Sequence, residues 1–207
     1  MILEEEVYKL RQLESLAGEE SFNTNWMGYE PSRAFLIALG AGPWKVDRRK
    51  AVQQKALEWF SHKYHDLVDI PDVHQRIFPL DWQNKFLENM VSSLKKANMS
   101  FKFKCQDWRR DVRWERAAVN LFNMCGIGKQ GTKVLWMFIR DFLELPSFPI
   151  DRHIKRMLQE VNLPNDVWYI VALCQRIGTN PNDLNRKLFA TKAINIDLSK
   201  DSTTVKE

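Results

Sequence analysis

Apolar residues recur at helical spacing through most of the chain, and a glycine or proline ends nearly every such stretch. The stretches cover 35–39, 51–60, 86–94, 114–122, 134–143, 154–161, 167–177 and 184–189. Between them fall Gly40, Gly42 and Pro43, then Pro71 and Pro79, Gly126 and Gly128, Pro146 and Pro149, Pro164, and Gly178 and Pro181. Apolar residues spaced this way line one face of a helix, and proline or glycine interrupts its backbone bonding. No stretch shows the apolar–polar alternation of a half-buried strand, although 99–104 reads as extended. The pattern predicts an all-α fold of roughly eight to ten helices without an internal repeat. The last residues, DLSKDSTTVKE, are polar and are expected to fray.

A chain of 207 residues, 44% hydrophobic and 28% charged, is long enough to bury a core as one large domain or two smaller lobes. It contains no run of about 18 apolar residues, so no membrane span is expected. The start, MILEEEVYKL, is acidic and lacks a signal-peptide pattern, which predicts an intracellular protein of the cytoplasm or nucleoid. Cys105, Cys125 and Cys174 are widely spaced and form no CxxC pair, so neither a zinc site, an iron–sulfur cluster nor a disulfide is expected. His62 and His65 lack a convincing third ligand and read as surface residues.

The net charge of +5 permits a polyanionic partner without requiring one. Its distribution says more. Lys95, Lys96, Lys102, Lys104, Arg109, Arg110, Arg113 and Arg116 crowd one segment, and Lys45, Arg48, Arg49 and Lys50 form another. Either run alone reads as a solvated helix face. Two runs ahead of a candidate phosphate loop favour nucleic acid.

That loop is 123–133, NMCGIGKQGTK, with three glycines and two lysines between two apolar runs. A nucleotide-binding P-loop needs G-x-x-x-x-G-K-[ST] between a strand and a helix. Gly126 and Gly131 have the right separation, but Thr132 and Lys133 stand in reversed order, and the preceding WERAAVNLF is helical. Lysine and hydroxyl cannot then reach phosphate and magnesium, so a P-loop is excluded. The remaining reading is helix, tight hairpin, helix. Trp114, Ala117, Ala118, Leu121 and Phe122 form the first apolar stripe. Gly126-Ile127-Gly128 supplies a turn that tolerates positive φ, with Ile127 placed to plug the space between the helices. The second helix is expected to begin near Lys129 and to turn Val134, Leu135, Phe138, Ile139 and Phe142 inward. Its first amides, beside Lys129, would bind an anion and so position a backbone without reading bases. A plain αα-hairpin closed by a glycine cap explains the loop equally well.

A second stretch, 148–156, reads FPIDRHIKR. GIG, an amphipathic helix and then P-[IV]-D-x-H-[IV]-x-R resembles the signature of the helix-hairpin-helix DNA glycosylases. The likeness covers 114–164 and extends more loosely to the helices through Phe60. It implies two helical lobes with an active-site cleft between them. One lobe would span 32–144 and contain the hairpin at 114–143; the other would combine 1–31 with 145–207. In the family an aspartate at the position of Asp151 is essential for base excision. A carboxylate there would stabilise the positive charge that builds on the sugar and activate the attacking water. At about 4 Å that charge pairing is worth roughly 4 kcal/mol with an effective dielectric near 20, or about a thousandfold in rate. Asp151 is also well placed to cap the helix that follows, and capping alone would explain it.

Bifunctional members of the family carry a lysine at the second residue after GxG, which forms a Schiff base with the sugar. This chain has Gln130 there. An amide is no such nucleophile, so the resemblance implies a monofunctional enzyme in which water attacks. GIGKQG is similar to the thymine/uracil mismatch glycosylases, which place a tyrosine at that position. Uracil or thymine opposite guanine is therefore the first expected lesion, with hypoxanthine, xanthine and 8-oxoguanine behind it. Gly126, Ile127, Gly128, Lys129, Gly131 and Lys133 are the expected DNA contacts of the hairpin. Arg152 is expected on phosphate, and Trp44 or Lys45 at the loop where the family inserts a wedge. His153 and Arg156 match the family pattern as supporting residues. Trp26, Tyr29, Phe148 and Trp168 are further aromatic candidates for a base pocket. The expected partner is lesion-containing double-stranded DNA, bound by a monomer; no cofactor is expected beyond a monovalent cation at the hairpin. Two alternatives stand: a glycosylase/lyase using Lys133 or Lys129, and a non-catalytic protein that grips DNA with the hairpin.

Overall fold

A computed structural model describes residues 2–19, 26, 28–43, 45–71 and 76–201, with side chains described within 4–191. The described residues form ten α-helices: α1 (Ile2–Ser15), α2 (Pro31–Gly40), α3 (Val46–Ser61), α4 (Asp81–Ala97), α5 (Phe101–Arg110), α6 (Trp114–Met124), α7 (Lys133–Phe138), α8 (Arg152–Glu160), α9 (Val167–Arg176) and α10 (Pro181–Asp201). A 3₁₀ turn at Leu67–Asp69 and a π-helical segment at Ile139–Leu143 complete the set. No strand occurs among the described residues, so the chain is all-α as its periodicity predicts. No helix among them is long and apolar enough to cross a membrane. Contacts divide the chain into two compact units, Asn25–Leu145 and a discontinuous one of Met1–Thr24 with Pro146–Glu207.

In the continuous unit α2 packs against α3, α5 and α7. Proline at its first position costs no backbone bond, and Ala34 through Leu39 are all buried. Phe35 meets Phe101 and Phe138 at 5.3 and 5.5 Å between ring centres, and Phe138 stacks on Phe142 at 5.1 Å. Each such ring, fully removed from water, contributes about 1.5–3 kcal/mol. Buried amides tie the loops to this core. Asn84 accepts from Ile77 and Phe78 N–H and donates to the Phe78 and Leu80 carbonyls, while Gln83 donates to the Leu39 carbonyl.

Residues 99–104, expected to be extended, instead turn into α5. The reason is two acceptors at its start: Ser100 Oγ receives Phe103 N–H, and the Asp66 carboxylate receives Phe101 and Lys102 N–H at 2.8 and 3.1 Å. A cap is worth about 1 kcal/mol, and Asp66 arrives from a distant part of the sequence that local periodicity does not see. The stretch at 51–60 likewise starts earlier, so the basic run Arg48, Arg49 and Lys50 lies inside the first turns of α3.

In the discontinuous unit α1 packs on α9, α9 on α10 and α10 on α8. Leu10, Leu13, Phe148, Ile154, Leu158, Ile170, Val171 and Leu188 are buried there. Polar ties join distant segments: Tyr169 donates to Glu6, Thr179 Oγ1 to Glu14 at 2.6 Å, and Gly18 N–H to Thr191 Oγ1 at 2.6 Å. Burial, reinforced by the hydrogen bond and the negative charge of Glu6, pushes the Tyr169 phenol up to about 12. Burial also raises all three cysteine thiols, Cys174 to about 12.

Candidate active site

Helix α6 ends by a double backbone closure. Ile127 N–H reaches the Phe122 carbonyl and Gly126 N–H that of Asn123, both at 3.0 Å, with Gly126 at φ +72°. This is the Schellman arrangement, in which the first residue past the cap must be left-handed. Two side chains of α4 take up the freed carbonyls: Asn89 Nδ2 donates to Cys125 O at 3.0 Å and Ser93 Oγ to Met124 O at 3.2 Å. The loop then turns again, with Gly131 N–H on the Gly128 carbonyl and Gly131 at φ +64°. Trp136 Nε1 donates to the Gln130 carbonyl at 2.9 Å, binding the loop to the helix that leaves it.

These contacts correct one expectation and sharpen another. The second hairpin helix begins at Lys133, not near Lys129, because residues 128–131 are spent on the second turn. Of the hairpin glycines, Gly126 and Gly131 are left-handed, so the positive φ expected of the 126–128 turn falls on Gly126 and not on Gly128. The three glycines therefore differ in kind. A Cβ on Gly131 would sit 2.4 Å from Phe122 Cζ, whereas one on Gly128 meets nothing within 4 Å. Gly126 and Gly131 are required by the fold of the hairpin; Gly128 is not.

Lys129 and Gln130 are exposed beside Gly128, Ile127 and Lys133 are half-buried, and Val134, Leu135, Phe138, Ile139 and Phe142 are buried as expected. Thr132 precedes α7 with its hydroxyl oxygen buried and without a hydrogen-bond partner. A cation at the hairpin would be held by backbone carbonyls. Those of Met124, Cys125, Gly128 and Gln130 each accept a protein hydrogen bond, so a cation would draw on their second lone pairs.

Asp151 lies in the other unit, half-buried at the N-cap of α8. Its Oδ1 accepts His153 N–H at 2.9 Å and Ile154 N–H at 3.0 Å. The cap expected from sequence is therefore present, and it fixes the plane of the carboxylate. Arg152 is exposed and donates Nε–H to His153 Nε2 at 3.1 Å; Arg156 is exposed one turn on. Phe148 is fully buried and Trp26 nearly so, which makes both core residues rather than open pocket walls. Tyr29 is exposed and Trp168 half-buried. Lys45 is the N-cap of α3; Trp44 lies outside the described residues.

The larger basic run is less uniform than its sequence. Lys104 pairs with Asp107 at 2.8 Å, Lys102 faces Glu30 at 3.9 Å, and Arg109 donates to the Phe142 carbonyl and lies on the Phe142 ring. Arg110, Arg113 and Arg116 are exposed. Among the described residues no three His, Cys, Asp or Glu side chains gather in a way that could hold a metal.

Two features escape a reading by motif. Arg140 and Asp141, adjacent in the π-helical segment, form a buried two-pronged ion pair at 2.7 Å. Their signal was two opposite charges inside the apolar run WMFIRDFL, which burial forces to pair. Asn182 and Asn185 of α10 hold the backbone that precedes Asp151, and nothing in their local sequence announces it. Comparison of the chain with protein-family models, with curated proteins and with solved structures finds no match.

Proposed function

We propose that this chain is a monofunctional DNA glycosylase of the helix-hairpin-helix type. It would hydrolyse the N-glycosidic bond of a damaged or deaminated base in double-stranded DNA, with uracil or thymine opposite guanine as the first candidates. In this reading the two units correspond to the lobes of the family's fold, and the protein works as an intracellular monomer.

The observation that carries the proposal is the state of Asp151. One carboxylate oxygen is tied to two amides at the start of α8, so the half-buried group is fixed in direction. A carboxylate so held suits a reaction that builds cationic charge on a sugar, since a preorganised charge needs no rearrangement at the transition state. The hairpin supports the DNA half of the reading. Its turn is rigidly specified at Gly126 and Gly131, while Gly128, Lys129 and Gln130 are exposed on the surface that a strand would meet. Gln130 offers no amine, so the attacking group is water.

A panel of duplex oligonucleotides carrying single modified bases tests this reading. Excision should leave an abasic site that breaks only on alkaline treatment, and borohydride should trap no covalent adduct. A trapped adduct lost in Lys133→Ala or Lys129→Ala would establish the glycosylase/lyase instead. Tight DNA binding with no excision anywhere on the panel would leave a non-catalytic binder.

A further inference from the structure

We infer that Asn182 and Asn185 of α10 are positioning residues for Asp151, an assignment that rests on the glycosylase reading. Three residues apart, the two share one face of α10, and they are 8% and 0% exposed. Asn182 Oδ1 accepts Ser147 N–H at 2.9 Å, and Asn185 Nδ2 donates to the Pro149 carbonyl at 3.2 Å. Ser147, Phe148 and Pro149 are themselves buried, so their backbone groups need protein partners. Side chains of α10 supply them at two points.

Pro149 has a fixed φ, and the bond from Asn185 to its carbonyl ties the chain two residues before the carboxylate. On the other side of Asp151, α8 packs against α10 as well. One helix therefore holds the chain both before and after the proposed catalytic group. A displacement of about 1 Å at a reacting group can cost about a hundredfold in rate, so the two amides set more than the fold of a loop.

The test compares Asn185→Ala, Asn182→Ala and Asn182→Asp in the full chain. Amide exchange at His153 and Ile154 reports the Asp151 cap without using activity, with the Ile170 amide as internal control. Asn185→Ala should speed exchange at those two amides by about tenfold or more and leave Ile170 unchanged. It should slow single-turnover excision roughly a hundredfold, with affinity for lesion DNA kept within about twofold. In an Asp151→Asn background the same change should alter the residual rate by less than about twofold, because its effect runs through Asp151. Asn182→Asp keeps the acceptor for Ser147 and should restore what Asn182→Ala loses; this pair carries the test if Asn185→Ala does not fold. Unchanged exchange at His153 and Ile154 overturns the assignment, as does an equal rate loss with and without Asp151. A wild type inert on every lesion overturns the glycosylase reading, and is told apart from failure of the clamp because exchange is measured independently of excision.

Discussion

Gly131→Ala and Gly128→Ala alter glycines that look interchangeable in GIGKQG, yet the structure predicts opposite behaviour. At Gly131 the backbone is left-handed, φ +64°, and the new methyl would lie 2.4 Å from Phe122 Cζ and 2.8 Å from its neighbouring ring carbons. Phe122 is fully buried and meets Trp136 edge-on at 4.9 Å, so it has little room to retreat. Left-handed strain costs about 1–2 kcal/mol and overpacking a further 1–3 kcal/mol or so, which places the loss at about 2–5 kcal/mol. Gly128 has neither problem, since no heavy atom lies within 4 Å of its added methyl. Restricting a flexible glycine there should leave stability unchanged or raise it by about 0.4–1 kcal/mol. Urea denaturation followed by tryptophan fluorescence measures both. The functional half of the prediction is that Gly128→Ala nonetheless weakens DNA binding, because the proposal brings a phosphate against that open backbone. A loss below about 1 kcal/mol for Gly131→Ala would refute the packing argument. Unimpaired DNA binding by a fully stable Gly128→Ala would refute the docking of the strand at this turn.

Two further predictions concern groups away from the hairpin turn. Asp141→Ala removes the two-pronged carboxylate partner of the buried Arg140 and should cost about 3–5 kcal/mol in urea denaturation, while replacing both residues by methionine and leucine should cost less than the two single changes combined. Tyr169 ionises near 10 when unfolded and near 12 in the fold. Its neutral form is thus favoured by folding, and its share of stability is intact below pH about 10 and lost as pH rises toward about 12. A phenolate absorbance titration should show a late component that Tyr169→Phe removes, and the variant should lose that part of the alkaline decline in stability.

The fold was legible where apolar spacing was local. Trp114, Ala117, Ala118, Leu121 and Phe122 are buried along α6, and Asp151 caps the helix that its position before an amphipathic stretch predicts. What escaped depends on partners distant in sequence. The start of α5 is decided by Asp66, some 35 residues earlier, against a local pattern that reads as extended. The glycines of the hairpin can be counted in sequence, but which two are left-handed depends on Phe122 and on how the loop closes. The loop before Asp151 is held from α10, 35 and 36 residues away, by asparagines that carry no motif.

The most direct measurement is the single-turnover excision rate of Asp151→Asn on whichever lesion the wild type removes. Asparagine caps a helix as well as aspartate does, so its amide oxygen can still receive the His153 and Ile154 N–H groups. The substitution therefore removes charge while keeping the cap, and thermal stability and DNA affinity should stay close to wild type. The rate should fall by about a thousandfold, the worth of roughly 4 kcal/mol of charge stabilisation. A variant that folds, binds DNA and excises the base at the wild-type rate would leave Asp151 a helix cap and nothing more, and would contradict the proposed chemistry.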